Sequence, residues 1–407
     1  MPSLSNNGLI TVQPSAARAL TLLHGAGFDA YVVGGCVRDA LMGAPCHDWD
    51  VATSASPADT MRVFRDFRVI ETGLRHGTVT VLLDGIPIEV TTFRADGSYS
   101  DGRHPDAVRF TSSVTEDLAR RDFTMNAIAY ADCTGLIDPY GGAEDIAQRV
   151  IRCVGDAETR FSEDGLRILR AVRFAAQLGF AIERETEAAL YRCSGMLARV
   201  SAERKAIEIC KLICALYAAR TVSGYAELLR IVLPVAECAG GLIERLPASR
   251  ELRFAALLSE LIPEDTREVL RGLKLDRKLF ETVPTLLAAA REELPESVPE
   301  IKRAMGRYGM LWQDVLTFRM AFFKENDPPY RNIDAVRRET ARIMEQNECV
   351  TIAALAIDGR ELLSRGFMGR EIGKTLQKLL DAVIDGQISN ENAALLAYLQ
   401  STSNENR

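Results

Sequence analysis

Three acidic residues have types and spacing suited to metal-dependent phosphoryl transfer. In "CHDWDVAT", Asp48 and Asp50 are separated only by Trp49, and side chains alternate along a strand, so both aspartates are expected on one face. Carboxylates held this close disfavour joint ionisation unless a cation lies between them. Mg²⁺ prefers carboxylate oxygens and substrate phosphates, and paired divalent ions can hold the attacking and leaving oxygens. We therefore expect Asp48 and Asp50 to be metal ligands.

Glu89 is the third candidate, because it lies between two apolar residues in "IPIEVTTF". If that strand runs beside the first, three carboxylates converge. An ordinary exposed strand residue is the alternative for Glu89, and paired aspartates also occur on surface strands without any catalytic role.

A glycine pair precedes the acidic residues. Gly34 and Gly35 separate a predicted strand from a helix whose first turn carries Arg38. Glycines let the backbone approach a phosphate, a helix N-terminus offers free N–H groups, and a guanidinium can bind phosphate oxygens with two donors. Alone, such a pair is a common turn. Followed within about fifteen residues by the aspartates, it indicates a triphosphate site beside its metals.

A third motif, "EDGLRILRAVRF", carries Asp164, Arg167, Arg170 and Arg173 every three residues along a predicted helix. A solvated, ion-paired face is one interpretation. Base recognition is the other: cytosine and adenine present an amino donor beside a ring-nitrogen acceptor, and uracil and guanine present the reverse order. A carboxylate and a guanidinium match the first pattern, so Asp164 with Arg167 would accept C and A and reject U and G.

The elements that must position these residues change character along the chain. Up to about residue 145, helix signals alternate with strand signals such as "AYVVGG" and the hairpin "TVTVLLDGIPIEVTTFR", whose Asp-Gly pair favours a tight turn. From about residue 157, apolar residues recur at helical spacing. The sequence therefore predicts an α+β unit followed by helical units.

Bulk composition limits the partners and the compartment. The net charge of −7 means that any nucleic acid must meet a local basic surface. The nine cysteines form no CxxC, and the four histidines lie outside zinc-ligand spacing, so core packing in a reducing setting is expected. A secretory leader and a long apolar segment are both missing, which predicts a cytoplasmic protein without a membrane partner.

Five motifs together resemble a known family. In order they are "GGCVRD", "DWD", "EVTTFR", "RRDFTMNA" and "EDGLRILRAVRF", and they match the class II tRNA nucleotidyltransferases, which comprise the CCA-adding enzymes and the bacterial poly(A) polymerases. The motifs span roughly residues 31–205, and "LAIDGRELLSRGFMGREIG" resembles the family's tail segment.

The resemblance implies a polymerase-beta-like α+β head with a small mixed sheet, then an all-α neck, body and tail. We place the catalytic head at 1–146, the neck with the base-selecting helix at 147–210, the body at 211–290 and a tRNA-binding tail at 291–407. Basic stretches in "RAMGRYGMLW" and "YRNIDAVRRETARI" are expected to contact tRNA phosphates.

The same resemblance implies the reaction, in which the 3′ hydroxyl of tRNA attacks the α-phosphate of CTP or ATP and pyrophosphate leaves. Mg²⁺ is the implied cofactor, and Glu89 is expected to assist deprotonation of the hydroxyl. The implied nucleotide contacts are Gly35, Arg38, Arg121, Asp164, Arg167, Arg170 and Arg173. Within "RRDFTMNA", Asp122 and Asn126 are expected one helical turn apart, within reach of the sugar.

Alternatives remain open at this stage. The polar segment 94–110, interpreted as a mobile loop, has the full length that favours complete CCA or A addition over CC addition alone. Addition of A only and poly(A) synthesis are the related alternatives, and a catalytically inactive RNA-binding protein is the alternative of another class. The oligomeric state cannot be inferred from the sequence.

Overall fold

The computed structural model describes residues 10–46, 48–74, 77–97 and 108–404. The chain separates into two compact units. The first runs to Gly241 and includes Gly272–Leu275, and the second comprises Leu242–Arg271 and Asp276–Arg407. The finer division into head, neck, body and tail at residues 146, 210 and 290 stays a prediction.

A mixed sheet of seven strands forms the centre of the first unit, with strand order β3-β4-β5-β2-β1-β8-β9. This sheet confirms the predicted α+β head. The strands of the described chain are β1 Ala30–Val33, β2 Asp50–Thr53, β3 Arg68–Gly73, β4 Thr78–Leu83, β5 Ile86–Thr92, β6 Arg94–Asp96, β7 Val108–Phe110, β8 Ala129–Ala131, β9 Gly135–Ile137, β10 Val150–Ile151 and β11 Ala181–Ile182.

Strands β4 and β5 form the hairpin that the Asp-Gly pair predicted, with Leu83 opposite Ile86. Asp84 and Gly85 both have positive φ, 53° and 80°, as a tight hairpin turn requires. The apolar residues that alternate along the hairpin, Val79, Val81, Ile88 and Val90, are buried. Ile86 is 40% exposed, because it directly follows the turn at the end of the sheet.

Helices of the first unit flank this sheet and continue beyond it. They are α1 Pro14–Gly25, α2 Gly35–Leu41, α3 Pro57–Val63, α4 Val114–Ala119, α5 Gly142–Gln148, α6 Ala157–Glu163, α7 Leu166–Leu178, α8 Arg184–Arg192, α9 Ala202–Ile213, α10 Ala218–Gly224 and α11 Ala226–Arg230. The region from residue 147, expected to be all-helical, also contains β10 and β11, which pair in parallel. Periodicity over two residues is too short a signal for such a strand.

The segment 94–110 is structured at both ends, because β6 and β7 pair antiparallel. Its interpretation as a mobile loop concerns mainly residues 98–107, which lie outside the described residues. The full-length loop therefore stays a sequence-based argument for CCA or A addition.

The second unit is helical. Its helices are the end of α12 Ala239–Arg245, then α13 Arg250–Leu257, α14 Pro263–Gly272, α15 Arg277–Arg291, α16 Val298–Tyr308, α17 Leu311–Met320, α18 Pro328–Glu345, α19 Gly359–Ser364, α20 Arg370–Ile384 and α21 Asn392–Asn404. Buried leucines at 362, 379 and 395 centre its C-terminal core. Within the described ranges, the helices all fall short of the length and apolarity needed to cross a membrane.

Helix α5 supports the segment that carries the "RRDFTMNA" motif. Asp138 stabilises the start of α5, because its carboxylate accepts hydrogen bonds from the backbone N–H groups of Gly142 and Ala143 at 2.7 and 2.8 Å. A Cβ added to Gly142 would lie 2.1 Å from the carbonyl oxygen of Thr124. Residue 142 must therefore be glycine for α5 to pack against the turn that holds Asn126.

We expect Gly142→Ala to lower the free energy of unfolding by about 2 kcal/mol or more, because backbone must move to accommodate the methyl group. Urea unfolding followed by tryptophan fluorescence measures this loss. Gly25→Ala is the matched control, since a Cβ there meets no atom within 4 Å, and it should change stability by less than about 1 kcal/mol. Equal stability of the two variants would contradict the packing argument.

Candidate active site

Two of the predicted carboxylates lie side by side on the sheet. Strands β2 and β5 are parallel, and Asp50 is registered with Glu89. Both side chains are exposed, whereas their neighbours Val51 and Val90 are buried at 0% and 1% exposure. The alternation of the two strands therefore directs Asp50 and Glu89 to the same open side.

Asp48 lies just before this strand rather than within it, because β2 begins at Asp50. This corrects the expectation that both aspartates belong to one strand. The alternation holds nevertheless. Asp48 is exposed, and Trp49, which separates the two aspartates in the sequence, is buried at 7% exposure. The thiol of Cys46 donates to the Asp48 carbonyl oxygen at 3.3 Å and ties this segment locally.

The environment of Asp50 disfavours its negative charge. Protein atoms crowd the carboxyl even though part of its surface is accessible, and this desolvation, with the charges of Glu89 and Asp48, raises its pKa from 3.8 to about 6. The guanidinium of Arg121 acts in the opposite direction. An excess of negative charge on hard oxygen donors is the situation that a divalent cation relieves, so these residues fit one. The described ranges hold no preassembled cluster of three acidic, histidine or cysteine ligands.

Arg121 lies between the acidic residues and the glycine pair. Its guanidinium donates to Asp117 at 3.2 Å and to the carbonyl oxygen of Asn126 at 3.4 Å. A Cβ at Gly34 would lie 2.8 Å from the same guanidinium, and Gly34 has φ 78° and ψ −128°. Glycine is therefore required at 34 by both space and backbone conformation. Gly35 is the first residue of α2.

A chain of hydrogen bonds leads from α2 into the "RRDFTMNA" motif. Arg38 donates to the side-chain oxygen of Asn126 at 2.8 Å, and the Asn126 amide donates to Asp122 at 3.1 Å. The other oxygen of Asp122 accepts from Arg170 at 2.7 Å. The arginine and these hydrogen bonds outweigh burial and hold the pKa of Asp122 below its usual range. The four side chains form one polar relay, which we call the Arg38–Arg170 relay.

The local backbone of this motif differs from the expectation. Asp122 and Asn126 were expected on one helix, one turn apart. Helix α4 ends at Ala119, and a single 3-10 turn covers Thr124–Asn126. Their hydrogen bond therefore comes from this tight turn.

Asp164 also departs from its expected position, because it is not on the helix of the arginines. Asp164 follows the last turn of α6 in an extended conformation, with φ −148° and ψ 104°, and α7 begins only at Leu166. The Asp164 carboxylate accepts a hydrogen bond from the backbone N–H of Leu166 at 3.1 Å. Arg204 binds both Asp164 oxygens, at 3.1 and 2.7 Å. The break falls at Gly165, where a Cβ would lie 2.5 Å from the carbonyl oxygen of Met196.

The arginines of α7 are ion-paired inside the protein. Arg167, 9% exposed, donates to Glu163 and to the carbonyl oxygens of Arg120 and Arg160. Arg173, 7% exposed, pairs with Glu208 and donates to Gln177. Arg170 is the most accessible, with about a third of its side chain exposed. The alternative interpretation, a solvated ion-paired face, is therefore wrong for Arg167 and Arg173, whose ion pairs are buried.

Sequence reasoning missed several partners of these groups. Asp117, 1% exposed, forms ion pairs with both Arg120 and Arg121. Its spacing of three and four residues from the two arginines is the signal that was available. Arg204 and Glu208 lie one turn apart on α9 and hold Asp164 and Arg173, respectively. No sequence pattern near these residues indicates either ion pair.

The raised pKa of Asp50 predicts a pH-dependent effect on stability. The pKa of Asp50 is about 6 in the folded protein and 3.8 for an ordinary aspartate. Ionisation of Asp50 therefore lowers the stability of the fold progressively as pH rises from about 4 to 6, and the full loss is reached above about pH 6. We expect Asp50→Asn to raise the melting temperature of metal-free protein more at about pH 8 than at about pH 4.5. Thermal melts at both values measure the difference.

Asp66→Asn is the control for this measurement, since that carboxyl is 82% exposed in the turn after α3. Its effect on melting should be small at both pH values. An Asp50→Asn effect that does not change with pH would contradict the proposed repulsion.

Family models match three parts of the chain. The poly A polymerase head domain matches residues 30–152, the probable RNA- and SrmB-binding site of polymerase A matches 179–239, and the putative tRNA nucleotidyltransferase domain 2 matches 247–399. The first match contains the acidic residues, the glycine pair and Arg121.

Relatives and solved structures agree with these matches. The chain is 39% identical over 388 residues to a CCA-adding enzyme of Geobacillus stearothermophilus, covering 92% of this chain and 93% of the relative. It is 35% identical to a CCA-adding enzyme of Streptococcus mutans, covering 95% and 96%. A crystal structure of a Bacillus stearothermophilus CCA-adding enzyme in complex with CTP has a TM-score of 0.80 at 35% identity, covering 97% and 99% of the two chains.

These likenesses extend over nearly the whole length of both partners and include the segments that carry the five motifs. The identity is well above the level at which only the fold is shared. The chain belongs to the CCA-adding enzyme family of tRNA nucleotidyltransferases.

Proposed function

We propose that this protein adds CCA to the 3′ end of tRNA, using CTP and ATP and releasing pyrophosphate. The observation that carries the proposal is the parallel pairing of Asp50 with Glu89 on an open sheet face, with Arg121 beside them. The relatives named above support the choice of reaction. A structural relative of lower identity, from Thermotoga maritima, is described as complexed with tRNA-CCA.

The cation that we propose is Mg²⁺, held by Asp48 and Asp50. Nucleotidyltransferases of this family are generally metal-dependent, and hard carboxylate oxygens with an excess of negative charge suit this ion. When bound, such ions stabilise the charge that develops on the oxygens of a phosphoryl transfer.

The protein's own residues then position the nucleotide. Arg121, oriented by Asp117 and placed over Gly34, offers a guanidinium to the triphosphate beside Asp50. Arg38 contributes the second guanidinium, and Gly35 lets the backbone approach the phosphates. Glu89 is on the same side as Asp50, where it can favour loss of the proton from the attacking 3′ hydroxyl.

Asp164 and Arg167 are proposed to select the base. Arg204 fixes the plane of the Asp164 carboxylate and leaves lone pairs that can accept from the amino group of C or A. Arg167, which also donates to the carbonyl oxygens of Arg120 and Arg160, is proposed to donate to the adjacent ring nitrogen. Arg170 and Arg173 are proposed as further nucleotide contacts.

The helical units are proposed to bind tRNA through phosphate contacts, which makes binding weaker as salt rises. Helices α16 and α18 carry the basic stretches expected to contribute. A cytoplasmic location follows from this substrate and stays a prediction.

The reaction is tested with a tRNA transcript that lacks its CCA end and with single labelled nucleotides. We expect incorporation from CTP, then from ATP, and little from UTP or GTP. Incorporation from ATP alone, on a tRNA that already ends in CC, would assign the protein to A addition instead. Continued addition of A would assign it to poly(A) synthesis.

Asp50→Ala should lower the incorporation rate by about 10³-fold or more, because it removes a metal ligand at the reacting phosphate. Asp66→Ala is the control and should retain the wild-type rate. Unchanged incorporation by Asp50→Ala would favour an RNA-binding protein without this catalytic centre.

Asp164→Asn should relax base selection, because an amide presents both a donor and an acceptor and can therefore pair with U. The ratio of kcat/KM for CTP over UTP should fall by about tenfold or more. An unchanged ratio would exclude Asp164 from base selection. Glu158→Gln, at an exposed position of the same helix, should leave the ratio at its wild-type value.

A further inference from the structure

Three arginines from two separate helices surround one aromatic ring. The guanidinium carbons of Arg38 on α2 and of Arg170 and Arg173 on α7 lie 5.3, 5.4 and 3.9 Å from the ring centre of Phe174. Each distance is within the range of a cation–π contact. All three arginines belong to the proposed nucleotide site, whereas Phe174 is an apolar residue of α7 at the end of the "EDGLRILRAVRF" motif.

The ring is held in a fixed orientation. Phe174 is 5% exposed, and Phe123 packs edge to face against it with centroids 5.8 Å apart and an interplanar angle of 86°. Phe123 follows Asp122, which belongs to the Arg38–Arg170 relay. The ring and the relay are therefore built from the same short segments and share Arg38 and Arg170.

The two sets of contacts close a loop. Through polar groups, Arg38 reaches Arg170 by way of Asn126 and Asp122. The same two guanidiniums also share a contact with the ring of Phe174. Asn126 and Asp122 are 7% and 8% exposed, so water screens this loop little. Both the hydrogen bonds and the contact with the ring therefore oppose a displacement of Arg38 or Arg170.

Each of the three guanidiniums has a carboxylate partner, Asp39 for Arg38, Asp122 for Arg170 and Glu208 for Arg173. The ring of Phe174 is a contact that all three share. The face of an aromatic ring attracts cations without itself carrying a charge, and it does so more strongly where water is excluded. An aliphatic side chain of similar size would fill the space but would not attract the guanidiniums.

We propose that Phe174 is a positioning residue of the nucleotide site, whose ring keeps the triphosphate-binding Arg38 in register with Arg170 and Arg173 of the base-selecting helix. The inference rests on the proposed function, because that function assigns these arginines to the nucleotide. The ring itself need not touch the substrate. Loss of the ring should raise the Kd for every nucleotide and should also weaken discrimination among bases.

Phe174→Leu tests the proposal, because leucine keeps an apolar side chain and removes the aromatic face. We expect the equilibrium Kd for CTP and for ATP to rise about tenfold, with KM rising alike and kcat changing by about threefold or less. Incorporation from UTP relative to CTP should increase. Phe174→Tyr, which keeps the ring, should restore both nucleotide affinity and base selection.

Phe64→Leu is the matched control. Phe64 is a fully buried phenylalanine of the same unit that contacts Phe67 and takes no part in the site. This variant should lower the melting temperature about as much as Phe174→Leu does and leave Kd unchanged. If both variants change Kd equally, or if Phe174→Leu binds CTP as wild type does, the proposal is overturned.

Should Phe174→Leu fail to fold, a trifluorinated phenylalanine introduced at position 174 of the full chain keeps the ring's shape and withdraws its electron density. The Kd for CTP should then rise, and an unchanged Kd overturns the proposal. Because Kd is measured without turnover, the result is independent of the reaction. Wild-type protein that binds CTP but extends no tRNA would refute the proposed function and not the role of Phe174.

Discussion

The parallel register of β2 and β5 is the constraint on which the site depends. It places Asp50 next to Glu89, so that two carboxylates share one open side of the sheet and Asp48 adds a third charge nearby. The apolar residues that alternate with them, Val51 and Val90, are fully buried, and a shift by one residue would expose them. The stability of the sheet therefore enforces an electrostatically unfavourable arrangement. The roles proposed for a cation, for Arg121 and for the nearby glycine turn follow from that arrangement.

Much of this head could be predicted from local patterns. The period of two in "TVTVLLDGIPIEV", with its Asp-Gly turn, predicted the hairpin, and the alternation around Trp49 predicted the orientation of the aspartates. These signals work because each depends on residues only a few positions apart. Motif order added the family, which the full-length relatives confirm.

The rest depends on distant residues. The three-residue spacing of Asp164 with the arginines suggested one helix. Gly165 instead packs against the carbonyl group of Met196, and Asp164 lies before α7, where it binds Arg204, 40 positions away. Arg170 finds Asp122 at a separation of 48. Periodicity on one helix carries no information about such partners, so the sequence could not tell a solvated stripe from buried ion pairs. The difference arises from tertiary packing.

The bidentate pair between Arg204 and Asp164 has a consequence for how this fold can diversify. The acidic residues proposed to perform the chemistry all lie before residue 95, whereas the carboxylate proposed to recognise the base is oriented from α9, more than a hundred positions later. Substitutions in α9 can therefore change which nucleotide is accepted without altering the acidic residues on and beside the sheet. Descendants with altered preference thus need not pass through an inactive ancestor.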